Sequence, residues 1–230
     1  MFLSKYTRLW FGVVFLCLTA LSSCKKNEVE QQEGAHIRII NASPAYATYN
    51  VYIDGTKVNN SGALPFGGTV SFMRYETGTH EIKFTSASNT TALLSKSIST
   101  ENARVYSIYL VNTGDKLETL MINDEASQTS TTQAFVKFVN VSPDAPALDL
   151  AVKDGASLFK GVTYKNGSAY ALIDAKTQTL ELKDAATGTV KATLTDTEFT
   201  AGRYYTIIAK GMLNPGPDDR AFDGQSIVHQ

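Results

Sequence analysis

The sequence predicts an all-β protein: two tandem antiparallel β-sandwich domains, immunoglobulin-like in proportion, behind an export signal and a flexible tether. Three observations predict it. One phrase is said twice, as "NASPAYATYNVYIDG" from Asn41 and "NVSPDAPALDLAVKDG" from Asn140, about one domain length apart. The ordered stretches are short, rich in β-branched and aromatic residues, and alternate with period two. No segment offers a long helical period with caps.

The chain opens with a three-part export pattern. Lys5 and Arg8 give a positive start, and "LWFGVVFLCLTAL" (Leu9 to Leu21) gives an apolar run. That run falls short of the ~20 residues a spanning helix needs. Ser22, Ser23 and Cys24 follow, and "LSSC" resembles the bacterial lipobox. The resemblance implies that residues 1–23 are removed and that Cys24 is lipidated. Several acyl chains at ~0.8 kcal/mol per buried methylene then hold the chain on a membrane. Cys17 leaves with the signal, so no pair remains for a disulfide and core burial must hold the fold. Residues 24–34, the lipidated Cys and the polar "KKNEVEQQEG", read as a tether.

Charge excludes one class of partner. The chain carries 21 Lys+Arg against 22 Asp+Glu, and without Lys5 and Arg8 the balance is 19 against 22, a net of −3. Nucleic acid calls for a basic face, which this is not.

Beyond the tether, the repeat divides the chain into a first sandwich over 35–125, a linker over 126–133 and a second sandwich over 134–230. Asn41, Ser43 and Pro44 recur as Asn140, Ser142 and Pro143, and Asp54-Gly55 recurs as Asp154-Gly155. Phe66 and Phe72 match Tyr164 and Tyr170 in spacing, and "RVYSIYLV" from Arg104 matches "RYYTIIA" from Arg203. "HEIKFTS" places Ile82 and Phe84 opposite Glu81 and Lys83, and "TLELKDA" places Leu180 and Leu182 opposite Glu181 and Lys183, so one face packs and one meets water. "VYSIYLV" and "YYTIIA" are apolar throughout and belong at the centre of a sheet. About seven strands per half are expected. The repeated Asn-x-Ser-Pro ends a strand: Asn and Ser side chains bond nearby backbone, and Pro can neither turn helical behind it nor extend a ladder. Such a turn builds a fold and needs no ligand.

These residues also carry a family resemblance. "IRIINASPAYATYNVYIDG" and "VKFVNVSPDAPALDLAVKDG" resemble the signature of the domain of unknown function 4397, the second copy more fully through Asp144-Ala145-Pro146 and "AGRYYTIIAKG" (Ala201 to Gly211). The first has Ala45-Tyr46-Ala47 in place of that acid. The resemblance, with "SCKK" at the anchor, implies two tandem copies on a lipid-anchored envelope lipoprotein of Bacteroidetes-type bacteria. It implies an outer-membrane anchor, with the periplasmic or surface face open, and it brings no established activity with it.

Chemistry is sparse. His36, His80 and His229 are not spaced as metal ligands and read as surface or edge residues, and no Gly-x-Ser-x-Gly elbow or phosphate loop is present. Asp144, Asp218 and Asp219 lie in turns, where Asp is favoured for its own hydrogen bonds. Tyr46 and Tyr52 are the aromatics whose exposure would serve recognition, whereas alternation puts Tyr49 in the core. Candidate ligand-binding residues are therefore Tyr46, Tyr52, Asp144, Asp218 and Asp219. No cofactor, metal or catalytic set is expected. The reading that follows is a non-catalytic envelope module for binding or structure. Its alternatives are a glycan-binding accessory or adhesin, weakened because the only Trp, Trp10, lies in the signal, and, further back, a hydrolase.

Overall fold

The strands fall where the β-branched and aromatic runs stand. A computed structural model describes residues 34–45 and 47–229. The signal, Cys24, nearly all of the tether and Tyr46 lie outside the described residues. The first half contains β1 (Ala35–Asn41), β2 (Tyr49–Ile53), β3 (Thr56–Lys57), β4 (Thr69–Tyr75), β5 (Gly78–Ser86), β6 (Ala92–Thr100), β7 (Val105–Val111) and β8 (Glu118–Asn123). The second contains β9 (Gln133–Asn140), β10 (Leu148–Val152), β11 (Ser157–Val162), β12 (Asn166–Gly167), β13 (Ala171–Asp174), β14 (Thr177–Asp184), β15 (Val190–Glu198), β16 (Tyr204–Lys210) and β17 (Asp223–His229). These exceed the expected seven per half chiefly through short pieces such as β3 and β12.

The strands form four sheets, and the second half repeats the order of the first. The outer sheets run β3-β2-β5-β6 and β11-β10-β14-β15; the inner ones run β4-β1-β7-β8 and β12-β9-β16-β17, with β13 also on β9. Most neighbours are antiparallel, but each inner sheet carries one parallel pair, β1 with β7 and β9 with β16. A parallel pair needs a long crossover, here supplied by the whole outer sheet.

Three apolar layers separate the four sheets. Ile37, Ile39, Val51, Ile82, Phe84 and Leu110 fill the first sandwich, with Tyr49 among them. Phe138, Leu150, Leu180, Leu182 and Ile207 fill the second. A third layer, with Ile40, Tyr109, Val111, Val139, Ile208 and Ile227, joins the two inner sheets face to face. The inner strands are thus buried on both sides, which explains why "VYSIYLV" and "YYTIIA" do not alternate. The outer strands do alternate: Ile82 and Phe84 are buried, Glu81 is exposed and Lys83 half-buried.

The repeated turn is consumed by the fold. Asn41 and Asn140 are fully buried, and each side-chain oxygen accepts the backbone N–H of Ser43 or Ser142 at 3.1 Å. Their amide groups donate to the carbonyls of Leu64 and Val162, both at 3.1 Å. The Ser43 hydroxyl donates to the Asn112 carbonyl at 2.6 Å, and Ser142 to Gly211 at 2.7 Å. Those two acceptors sit at equivalent strand ends in left-handed backbone, φ 62° and 81°. At Gly211 a Cβ would stand 2.1 Å from the Ala221 carbonyl, so only glycine fits. Each turn therefore ties the end of the first strand of its half to the end of that strand's parallel partner.

Replacing Asn140 by Ala strands buried polar groups that it now satisfies. Urea denaturation of Asn140→Ala is expected to show a loss of about 2–4 kcal/mol, from about 1–3 kcal/mol per buried group left unpaired. Native-like stability would mean that the turn is not held by this side chain.

Candidate functional site

The inner strands place a charge in the middle of each apolar run. Arg38 on β1 and Lys137 on β9 occupy equivalent registers, opposite Ser107 on β7 and Thr206 on β16. Both cations are buried, 2% and 4% exposed, in the interface between halves. One carboxylate serves both. Asp124, 1% exposed and just past β8, accepts from Arg38 at 3.3 Å and from Lys137 at 3.1 Å. Ser107 donates to the same carboxylate and accepts from Arg38, and Lys137 donates further to the Asn123 carbonyl at 3.0 Å. Rings cover the cations: Arg38 stands 4.7 Å from the centre of Phe72, and Lys137 4.9 Å from that of Tyr170.

Strand register makes this network nearly two-fold. Ser107 faces Ile122 and Thr206 faces Ile227, so Asp124 and His229, each two residues further on, are equivalent positions. Chemistry breaks the symmetry. Burial and the neighbouring Arg38 push the His229 imidazole down to about 4, so it is neutral at pH 7. Its Nε2 accepts from Arg38 at 3.0 Å and Thr206 at 2.8 Å, which places the ring proton on Nδ1. The Tyr109 hydroxyl is buried beside the network and makes no hydrogen bond among the described residues. Burial pushes its pKa up, as it does that of Tyr170.

The two inner sheets part beside this network, at the end where the chain enters β1. A cleft of about 430 Å³ opens there, walled by His36, Phe72 and Val105 from the first half and by Arg203, Tyr204 and His229 from the second. Tyr204 is held on three sides. It stacks on Phe135 at 4.5 Å, meets Tyr170 edge-on at 4.8 Å, and its hydroxyl is strapped to the backbone of Gln128.

The residues singled out from sequence lie elsewhere. Tyr52 is half-buried on the outer β2, with Lys83 4.7 Å over its ring. Asp144 braces a loop, accepting the N–H groups of Leu213 at 2.7 Å and Asn214 at 2.8 Å. Asp219 accepts from Gly216 at 3.1 Å, and Asp218 is exposed. The three acids share the turn end of the second half, apart from Tyr52. Among the described residues, no three His, Cys, Asp or Glu converge on a metal position. Two histidines differ from the surface reading. His229 is half-buried in the wall of the cleft, and His80, 9% exposed, bonds the Asp54 carboxylate at 2.7 Å and the Glu76 carbonyl at 2.8 Å. The missed signal was legible: a cation inside an apolar strand, at the same place in both repeats, with an acid where the linker begins.

A model of the family described as a domain of unknown function (DUF4397) matches residues 35–151, from β1 through β10. That span holds the whole first sandwich, both signature turns and the opening of the second sandwich. No curated protein matches the chain. Solved structures that the chain matches include a CBM26 module of Eubacterium rectale Amy13K in complex with maltoheptaose, 10% identical, covering 84% of this chain and 96% of that one, TM-score 0.26. A streptococcal virulence factor described for alpha-glucan binding is 13% identical, with coverage of 82% and 96% and TM-score 0.26. A putative polysaccharide-binding protein (DUF1812) of Bacteroides thetaiotaomicron is 9% identical, with coverage of 86% and 98% and TM-score 0.21. At such scores these likenesses carry no argument about this chain.

Asp124→Ala leaves Arg38 and Lys137 buried and unpaired, and is expected to cost about 3–5 kcal/mol in urea denaturation. A loss under about 1 kcal/mol would show that the cations find other partners. His80 has a different signature. Burial works against its imidazolium, but the bonds to Asp54 and Glu76 outweigh it and raise the pKa above 6.5. The His80 bond, first, and the Glu81 N–H lower that of Asp54 below 3.8. The histidine's contribution is full below pH 6.5 and fades as pH rises through its folded pKa; that of Asp54 is full above 3.8 and fades as pH falls. The stability gap between native chain and His80→Gln is therefore expected to peak between pH 3.8 and 6.5 and to shrink in alkali. A flat gap across pH would refute the ion pair.

Proposed function

The chain belongs to the DUF4397 family, and from that premise we propose that it is a non-catalytic, lipid-anchored envelope module whose task is recognition. One observation carries the reading: Asp124 with Arg38 and Lys137 locks the two halves together, and beside that lock an open, ring-walled cleft remains. Asp124 is divided between two cations, Asp144 between two backbone amides, and Asp54 between His80 and the Glu81 amide. Carboxylates held this way position a scaffold; a general acid or base needs a proton it can exchange with substrate. Clefts between packed modules are where ligands settle, and about 430 Å³ lies within the range of ligand sites.

The anchor rests on "LSSC" and the pattern before it. Lipid on Cys24 places the module in the cell envelope, on an outer membrane by family resemblance. Glycan recognition is the leading form of this function, since rings and polar groups share one cleft.

The test is a glycan array probed with full-length Cys24→Ala, a chain expected to leave the membrane fraction in which the native one sediments. Saturable binding to one glycan class is the expected result. A blank array, or a Cys24→Ala chain that still sediments with membranes, overturns the recognition or the anchoring part respectively.

A further inference from the structure

Two arginines hold equivalent places in the two halves, one residue before β7 and one before β16. Arg104 is paired, with Glu101 at 3.6 Å and with Glu125. Arg203 is exposed, lines the cleft, and has no ion-pair or hydrogen-bond partner for its guanidinium among the described residues. The next position differs too: Val105 follows Arg104, whereas Tyr204 follows Arg203. The second half therefore sets an unpaired cation next to an immobilised aromatic ring, and the first half does neither.

The groups that line and back the cleft sum to positive charge among the described residues. Behind it, Arg38 and Lys137 share the single carboxylate of Asp124, a local excess of one positive charge. Arg203 adds a second at the mouth. His229 adds none at neutral pH, and among the described residues no acidic side chain besides the already paired Asp124 lines the cavity. A low-dielectric cleft with excess positive charge attracts an anion, and a guanidinium suits a carboxylate through two parallel N–H donors. The walls ask for more than an anion. Phe72 and Tyr204 offer ring surface from opposite halves, while His36 and Arg203 offer polar contacts at the mouth. A ligand fitting both has a flat apolar face, hydroxyls at its edge and one carboxylate.

We infer that the cleft between the halves seats an acidic sugar, a hexuronate unit of a glycan, with its ring against Tyr204 and its carboxylate on Arg203. This deepens the recognition reading and rests on it. It supplants the candidates on the outer sheet and turn loops, Tyr52, Asp144, Asp218 and Asp219, as the place where ligand is held. Binding is non-covalent, and its affinity falls as salt screens the arginine.

The test is isothermal titration calorimetry of the purified full chain with a short oligogalacturonate and with a neutral gluco-oligosaccharide of equal length. Saturable uronate binding is expected, at least about tenfold tighter than the neutral sugar, the worth of one charge-assisted contact. Arg203→Gln, a change at an exposed side chain, is expected to lose about tenfold, whereas Arg104→Gln binds as the native chain does. Tyr204→Leu weakens both sugars, with its thermal midpoint recorded to separate lost binding from lost folding. No saturable uronate heat, equal affinity for the neutral sugar, or unchanged binding in Arg203→Gln overturns the assignment. Array binding that survives Arg203→Gln would sink the cleft and keep the recognition reading; absence of any glycan binding would sink both.

Discussion

The Asp124 carboxylate is the constraint on which the packing of the two halves depends. Two cations enter the interface from opposite sheets, and neither could stay there alone, because burying an unpaired ammonium or guanidinium costs several kcal/mol. One carboxylate, placed where β8 runs out into the linker, answers both. The arrangement adds little net stability over an apolar equivalent. Its effect is on geometry. Apolar residues such as Ile40, Val139 and Ile208 would tolerate sliding of one sheet over the other. A carboxylate held at 3.3 Å and 3.1 Å by two opposed cations would not. Register between the halves is thus set by charge and the contact filled by burial.

The near two-fold relation shows what the fold needs and what it can spare. Features kept in both halves are structural: the buried Asn and Ser of each turn, the left-handed strand end that accepts the Ser hydroxyl, and the cation under an aromatic ring. Features that differ cluster at one end of the interface. Asp124 answers to His229, Val105 to Tyr204, and a paired Arg104 to an unpaired Arg203. Two aspartates there would neutralise both cations and leave no excess positive charge beside the cleft, and two neutral imidazoles would leave both cations without a carboxylate. The mixed pair holds the interface and keeps one positive charge in excess, and the cleft lies beside it.

Much of the fold was legible because it rests on local rules. Period two in "HEIKFTS" and "TLELKDA" gave faces that the outer sheets keep, and Tyr49 fell into the core as alternation required. The twice-said turn gave two halves with one strand order. The parallel pairing of β1 with β7 was not legible, since no local pattern tells a strand which distant neighbour it joins. The inner strands looked central for a reason only half correct: "VYSIYLV" is buried on both faces because a second sandwich covers it. The site was less legible still. Tyr52 and the turn acids stood out as residue types, yet Lys83 covers the first and backbone amides hold Asp144. Arg38 and Lys137 are the polar residues inside two apolar runs, and only the packing of the halves shows that one acid serves both.

The geometry of the cleft limits what it can hold. It opens at the ends of β1, β7 and β16 nearest to Gly34. The field of an exposed arginine is screened by salt, so ring contact with Tyr204 has to carry a share of the binding. A ligand with both a charge and a flat face meets that demand, and a simple anion does not.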